Sequence, residues 1–312
     1  MKVRKLMIII ILTIFLFSIA SVTAANTTDV MTSNDDSTQK NEIISKKNEE
    51  LIKDGTTGTF TELRDKINYG GSEITLDKNY SCEDGFSTYG ISIYNSITID
   101  GQGHTIDAQG KASIFNVHIS NIVLKNIIFK NGNTTNHGAA IYFQQNIIGS
   151  VSNCTFINNS ADHGGAIKWT GADCSVSNCT FINNSADHGG AIKWEGADGS
   201  VSDCTFINNS AVHGGAIKWE GADGSVSDCT FVGNSAGLGG AIEWGGADGS
   251  VSDCTFVGNS AGLGGAIEWL GTAGSADTCI FKTSSDTTVN TRILSPTLNV
   301  DNFTSLYGSG DK

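Results

Sequence analysis

Hydrophobic positions in the second half of the chain return in a fixed order every 25 residues. In the unit that begins at Gly199 they are Val201, Cys204, Phe206, Ile217 and Trp219, spaced by Ser, Asp, Asn, Thr and Gly. The Cys column is Cys154, Cys179, Cys204, Cys229, Cys254 and Cys279; the Phe column is Phe156, Phe181, Phe206, Phe231, Phe256 and Phe281. All Trp residues fall in one further column, Trp169, Trp194, Trp219, Trp244 and Trp269. Between them stand the turn columns Asn159, Asn184, Asn209, Asn234 and Asn259, and Gly pairs opening at Gly164, Gly189, Gly214, Gly239 and Gly264. The units starting at Cys174 and Gly199 differ at three of 25 positions, as do those starting at Gly224 and Gly249. A strict period of roughly 20–50 residues marks a repeat architecture and outranks any local motif.

Within a unit the strand signals are short: Ser200-Val201-Ser202, Cys204-Thr205-Phe206 and Gly215-Ala216-Ile217-Lys218-Trp219. No i, i+3, i+4, i+7 pattern appears in the repeats, so they hold no helix. The unit is too short for a propeller blade and lacks the Leu pattern of a leucine-rich repeat. One coil of a parallel β-helix fits, with each coil stacked on the next at roughly 4.8 Å and identical residues forming columns. Alternation turns Val201, Cys204, Phe206, Ile217 and Trp219 inward, with Asp203 as a left-handed bend between the first two. It also predicts that Lys168, Lys193, Lys218, Glu243 and Glu268 face outward, where the change from Lys to Glu implies that neither sign is required.

The flanks differ. Lys2, Arg4 and Lys5 precede an apolar run from Leu6 to Ala20 and the small residues Val22-Thr23-Ala24-Ala25, the order of a secretory signal over residues 1–24. An uncleaved N-terminal anchor is the alternative, and no second apolar run of that length follows. Residues 25–56 are polar and read as a spacer. Over 57–73, Phe60, Leu63 and Ile67 recur at helical spacing, with Thr59 as cap and Glu62 three residues on. That predicts a short helix ending at Gly70-Gly71 and capping the stack. Residues 74–148 read as degenerate coils, 149–273 as five repeats and 274–312 as a decaying coil and tail, where Ser284 replaces the column Asn and Pro296 blocks a ladder bond. The expected stack has roughly nine coils.

Composition sharpens this picture. Of 38 Gly, 24 lie between Gly149 and Gly271 at fixed phases, so they punctuate a rigid coil instead of loosening a flexible chain. A single Pro fits a structure in which every coil donates N–H groups to the next. With 32 acidic against 19 basic residues and a net charge of -13, nucleic acid is excluded as a partner.

Candidate chemistry is sparse, and no residue receives a catalytic, cofactor or metal role. The Cys column reads as buried packing, with a disulfide ladder as the alternative that export permits; single file excludes tetrahedral zinc. Cys174 replaces the Gly of later units and is expected at a dispensable turn. His137, His163, His188 and His213 form a column that becomes Leu238 and Leu263, which favours partly covered loop residues over a metal or pH-sensing stripe. The Asp columns at Asp173, Asp198, Asp223 and Asp248 and at Asp203, Asp228 and Asp253 read as turn caps rather than calcium ligands. A catalytic cluster should break the repeat, and only the stretch from Asp77 to His118, with Asp84, Asp100, His104 and Asp107, does so. Sequons occur at Asn26, Asn79, Asn133, Asn153, Asn158, Asn178, Asn183, Asn208 and Asn302, in a chain already rich in Asn, Ser and Thr for turn reasons.

Phe-x-x-Asn followed by Gly-Gly-Ala-Ile, as in Phe181 to Asn184 with Gly189 to Ile192, resembles the repeat of polymorphic outer membrane proteins. Ile97-Thr98-Ile99-Asp100-Gly101-Gln102-Gly103-His104-Thr105-Ile106-Asp107, then Ile122 to Phe129, is similar to the opening of adhesin-like surface proteins of methanogenic archaea. The resemblance spans about Thr57 to Ser284. It implies a right-handed parallel β-helix exposed at the cell envelope, with adhesion to cells, host surfaces or glycans as the activity. Larger relatives carry further domains or a C-terminal attachment, whereas this chain ends at Lys312. Two classes follow: an exported surface or secreted adhesin-like protein of open oligomeric state, or a carbohydrate-active lyase or hydrolase on the same scaffold.

Overall fold

A computed structural model describes residues 57–282 and the short strands at 292–293, 298–301 and 304–305. The expected signal and spacer, and the sites of Ser284 and Pro296, lie outside the described residues.

The coils wind through three parallel sheets. An eleven-stranded sheet runs from Gly58–Thr59 through Thr155–Ile157 and its repeats to Thr304–Ser305 and carries the Phe column. A ten-stranded sheet from Glu73–Thr75 to Leu298–Asp301 carries the Val column, and a nine-stranded sheet from Ile91–Ile93 to Arg292–Ile293 carries the Trp column. One strand of the Trp sheet per turn makes nine described coils of a parallel β-helix. Repeat equivalents are register partners: Val176 with Val201, Phe181 with Phe206, Trp194 with Trp219. This registry stacks like on like, with Phe181 and Phe206 rings 4.8 Å apart at 4° and Trp194 and Trp219 rings 4.7 Å apart at 4°. The Val, Cys, Phe, Ile and Trp columns are buried, as period-2 alternation requires.

Corners have identifiable causes. Asn153, Asn178, Asp203, Asp228 and Asp253 sit between the Val and Phe strands at φ between 51° and 53°, the left-handed region that Asn and Asp tolerate. At Gly189, φ is +67° and an added Cβ would stand 2.1 Å from the Ile192 carbonyl oxygen. Neither conformation nor space admits a side chain there.

The N-terminal helix α1, Phe60–Tyr69, forms as its sequence predicts. Thr59 and Glu62 close a reciprocal capping box, and Phe60, Leu63 and Ile67 are buried. Glu83, from the first coil, adds a second cap by accepting from the Phe60 and Thr61 N–H groups at 2.8 and 3.0 Å. A carboxylate at the positive end of the helix dipole is favourable and ties the cap to the stack.

Two expectations are corrected. The segment after the ladder Asn is a fourth strand, Ser185–His188, Ser210–His213, Ser235–Leu238 and Ser260–Leu263, forming a four-stranded parallel sheet of its own. Its alternation carries at most one large apolar residue per unit, so it left no hydrophobic signal. The Lys and Glu column is not exposed: Lys168, Lys193 and Lys218 are 6–8% exposed and Glu243 and Glu268 1%. Its residues do turn away from the apolar interior, but the His-bearing segment lies beside them, with His213 Nδ1 2.9 Å from Glu243. Cys174 does sit at the turn before Ser175–Ser177, and it is buried there with its Sγ 3.2 Å from the Ile147 carbonyl oxygen.

Candidate functional site

The strongest concentration of titratable groups is the seam between the Trp sheet and the fourth sheet. Along one wall the His column stacks, with rings 5.1, 5.0 and 4.9 Å apart from His137 through His163 and His188 to His213. Opposite lies the Lys column, interleaved with carboxylates. Lys168 Nζ is 2.8 Å and Lys193 Nζ 3.0 Å from Glu195 Oε1, and Lys193 reaches Glu220 at 3.3 Å. Lys218 lies 3.8 Å from Glu220 and pairs with Glu243, which also meets His213 Nδ1 at 2.9 Å. The result is one chain of alternating charge across four coils, from Lys168 to Glu243, held where single buried charges would be costly.

The electrostatics follow from that placement. Burial, helped by the nearby lysines, holds the His137, His163 and His188 rings below the ordinary imidazole value. For Glu195, burial opposes ionisation, but hydrogen bonds and charge from Lys168 and Lys193 win and lower it. These imidazoles are therefore neutral beside a saturated Lys–Glu line at neutral pH. Among the described residues no group of three His, Cys, Asp or Glu is placed to hold a metal.

The sequence reading missed Glu195 and Glu220. A signal existed in the repeats: coils with His188 or His213 and Lys193 or Lys218 have Glu195 or Glu220 after Trp, whereas coils with Leu238 or Leu263 and Glu243 or Glu268 have Gly245 or Leu270. The His and Lys positions change together through all five repeats, whereas the residue after Trp is Glu only at Glu195 and Glu220 and is Thr170 in the first repeat.

The other singled-out columns are architectural. The ladder Asn residues lie inside, each accepting from its predecessor: Asn159 N and Nδ2 donate to Asn184 Oδ1 at 3.0 and 2.9 Å, and Asn184 Nδ2 donates to the Phe156 carbonyl at 3.1 Å. All eight Cys are free and buried, and Cys204 Sγ donates to the Ser202 carbonyl at 3.1 Å. Burial keeps the Cys154, Cys204 and Cys229 thiols well above the ordinary value, hence protonated and poor nucleophiles.

The non-repeating stretch does not converge. Asp100 accepts from Gln102 N at 3.0 Å and Asn126 at 2.9 Å, while Asp107 accepts from Gln109 N at 2.7 Å and Asn131 at 2.9 Å. Each carboxylate closes a turn at the end of its own sheet, Asp100 on the Val sheet and Asp107 on the Phe sheet. Asp84 is 94% exposed beside Lys111, and His104 Nδ1 lies 3.4 Å from Asn79 Oδ1. Each of these two carboxylates is engaged in its own turn.

Residues 153–168, 178–193, 203–218, 228–243 and 253–268 match the Chlamydia polymorphic membrane protein repeat. Each matched segment opens at the left-handed corner, passes through the Phe strand, ladder Asn and Gly pair, and ends on the buried Lys or Glu; the last four also include a strand of the fourth sheet. These coils are repeats of that type, built on a parallel β-helix. Neither the curated proteins nor the solved structures include a match to the chain.

Proposed function

We propose that the protein is an exported, cell-surface or secreted adhesin-like β-helix whose repeated outer faces bind cells, host surfaces or glycans. The observation that carries this is the regularity of those faces. Thr155, Thr180, Thr205, Thr230 and Thr255 stand partly exposed in one register column of the Phe sheet, and the Ser pairs flanking Val176, Val201, Val226 and Val251 do the same on the Val sheet. Hydroxyl columns at a repeat near 4.8 Å offer many equivalent weak hydrogen bonds to an extended, hydroxyl-rich polymer, and repetition turns weak contacts into avidity. The match to a membrane-protein repeat supports an envelope location. No helix among the described residues is long and apolar enough to cross a membrane.

The test runs residues 25–312 on a glycan array and against whole cells, beside a polysaccharide depolymerisation screen. Retention on a polymeric glycan or cell surface, weakening as repeats are deleted, is the expected result. Turnover of any polymer that is lost in Asp100→Ala or His104→Ala would replace this reading with a carbohydrate-active enzyme.

A further inference from the structure

Two files of exposed amides border the Phe sheet. Asn153 and Asn178 occupy the corner before the Phe strand, and Asn158, Asn183 and Asn208 the corner after it. All five are exposed and left-handed, with φ between 52° and 55°, and none of their side chains has a hydrogen-bond partner among the described residues. Each opens an Asn-x-Ser/Thr triplet. Their sequence neighbours Asn159, Asn184 and Asn209 are fully buried in the ladder and open no such triplet. The two classes of Asn in one segment thus serve different ends.

The backbone does not explain the outer set. Asp203, Asp228 and Asp253 hold the first corner at φ of 51–53°, and Gly233 and Gly258 hold the second at 64° and 61°. Asp and Gly satisfy those corners, so left-handed geometry calls for a small or turn-forming residue and not for an amide. In the later coils the triplet is lost only at its Asn, while the hydroxyl residues Thr205, Thr230, Thr255, Ser235 and Ser260 remain. At these two corners, what changes from early to late coils is the residue that opens the triplet, not its hydroxyl.

We propose that Asn153, Asn158, Asn178, Asn183 and Asn208 are N-glycosylation sites, placing oligosaccharide along both edges of the Phe sheet and leaving the Thr230–Val232 and Thr255–Val257 strands unmodified. This rests on the export reading, because the donor is a lipid-linked oligosaccharide diphosphate met during translocation. The amide Nδ2 forms a bond to the anomeric carbon, the bond from that carbon to the phosphate oxygen breaks, the lipid diphosphate leaves with the electron pair, and the amide loses one proton. The asparagine carbonyl oxygen is free in all five, so its polarity is not already spent. Across one coil the two corners are separated by a five-residue step, about 16 Å in extended backbone, so the files are independent. Within a file, successive coils are as close as the Phe156 and Phe181 rings, 4.6 Å apart. A hexose is wider than that, so occupied sites alternate, Asn158 and Asn208 flanking an unoccupied Asn183 or the reverse.

The experiment isolates the full chain from the envelope and medium fractions of its producing cells and analyses intact glycopeptides with site-localising fragmentation. A second chain carries Asn153→Asp, Asn178→Asp, Asn158→Gly, Asn183→Gly and Asn208→Gly, each copying the residue that later coils already use. Expected are hexose-containing mass additions on those five sites, less than full occupancy at coil-adjacent pairs, and complete loss of the additions in the variant with unchanged β-type circular dichroism. An exported chain with all five amides bare overturns the glycosylation proposal and leaves the surface reading intact. A chain retained inside the cell and bare overturns both.

Discussion

Lys218 and Glu243 are register partners on adjacent strands of the Trp sheet, and their side chains form an ion pair at the single step where the column changes from Lys to Glu. Glu243 is 1% exposed and also receives His213, so it closes the Lys–Glu line that starts at Lys168. Glu243→Leu leaves Lys218 with only the looser Glu220 contact at 3.8 Å and should lower stability by about 3 kcal/mol. Lys218→Met combined with Glu243→Leu replaces the pair with apolar volume and should recover to within about 1 kcal/mol of the parent. Thermal unfolding of the four chains checks this; purely additive effects would refute coupling.

Acid should loosen the seam. The His137, His163 and His188 rings sit below the ordinary value of 6.5, so the unfolded chain takes up protons first as pH falls. Stability is therefore full above 6.5 and declines as pH drops below it, until the folded rings accept protons as well. The groups facing the stack are Lys168, Lys193, Lys218, Glu195, Asp162 and Tyr142, and the lysines oppose a second positive charge. His163→Leu with His188→Leu, the residue that Leu238 and Leu263 already place in this column, should flatten the melting temperature between about pH 7 and pH 5. An unchanged slope would assign the acid sensitivity elsewhere.

Trp packing distinguishes Gly199 from Cys174. A Cβ at Gly199 would stand 2.0 Å from the Trp194 ring, so Gly199→Ala should cost about 1–3 kcal/mol and shift Trp fluorescence. At Cys174 the preceding Trp169 is turned to donate to the Ile147 carbonyl at 3.1 Å, and it meets Trp194 at 22° instead of the 4° seen further along. Cys174→Gly restores the common residue and should cost about 1 kcal/mol or less.

The ladder is a matter of satisfied buried groups. Asn184→Ala removes the acceptor for both Asn159 N and Asn159 Nδ2 and should cost about 3 kcal/mol, because two buried donors lose their partner. Hydrogen exchange at the Asn159 amide should accelerate while that of distant coils stays protected.

Much of this molecule was legible as text. Columns of Val, Cys, Phe, Ile and Trp predicted the coil, its registry and the inward faces, and Thr59 with Glu62 predicted the helix cap. The charged column was misjudged because strand periodicity tells which side of a strand a residue takes, not what lies against that side. Lys168 points away from the Phe and Trp core as alternation requires, yet it is buried with Glu195 at 2.8 Å. The fourth strand escaped notice because Ser210-Ala211-Val212-His213 has no core face of its own; only stacking on equivalent coils makes it a sheet.

The sequence by itself determined the period, the solenoid and the corners, because each depends on local conformation and on residues meeting their own repeats. Tertiary structure alone decided that the outward Lys, Glu and His columns form one enclosed network, since their environment is set by the His-bearing segment that lies beside them. A pattern of alternation cannot encode that contact; winding the chain into three dimensions does.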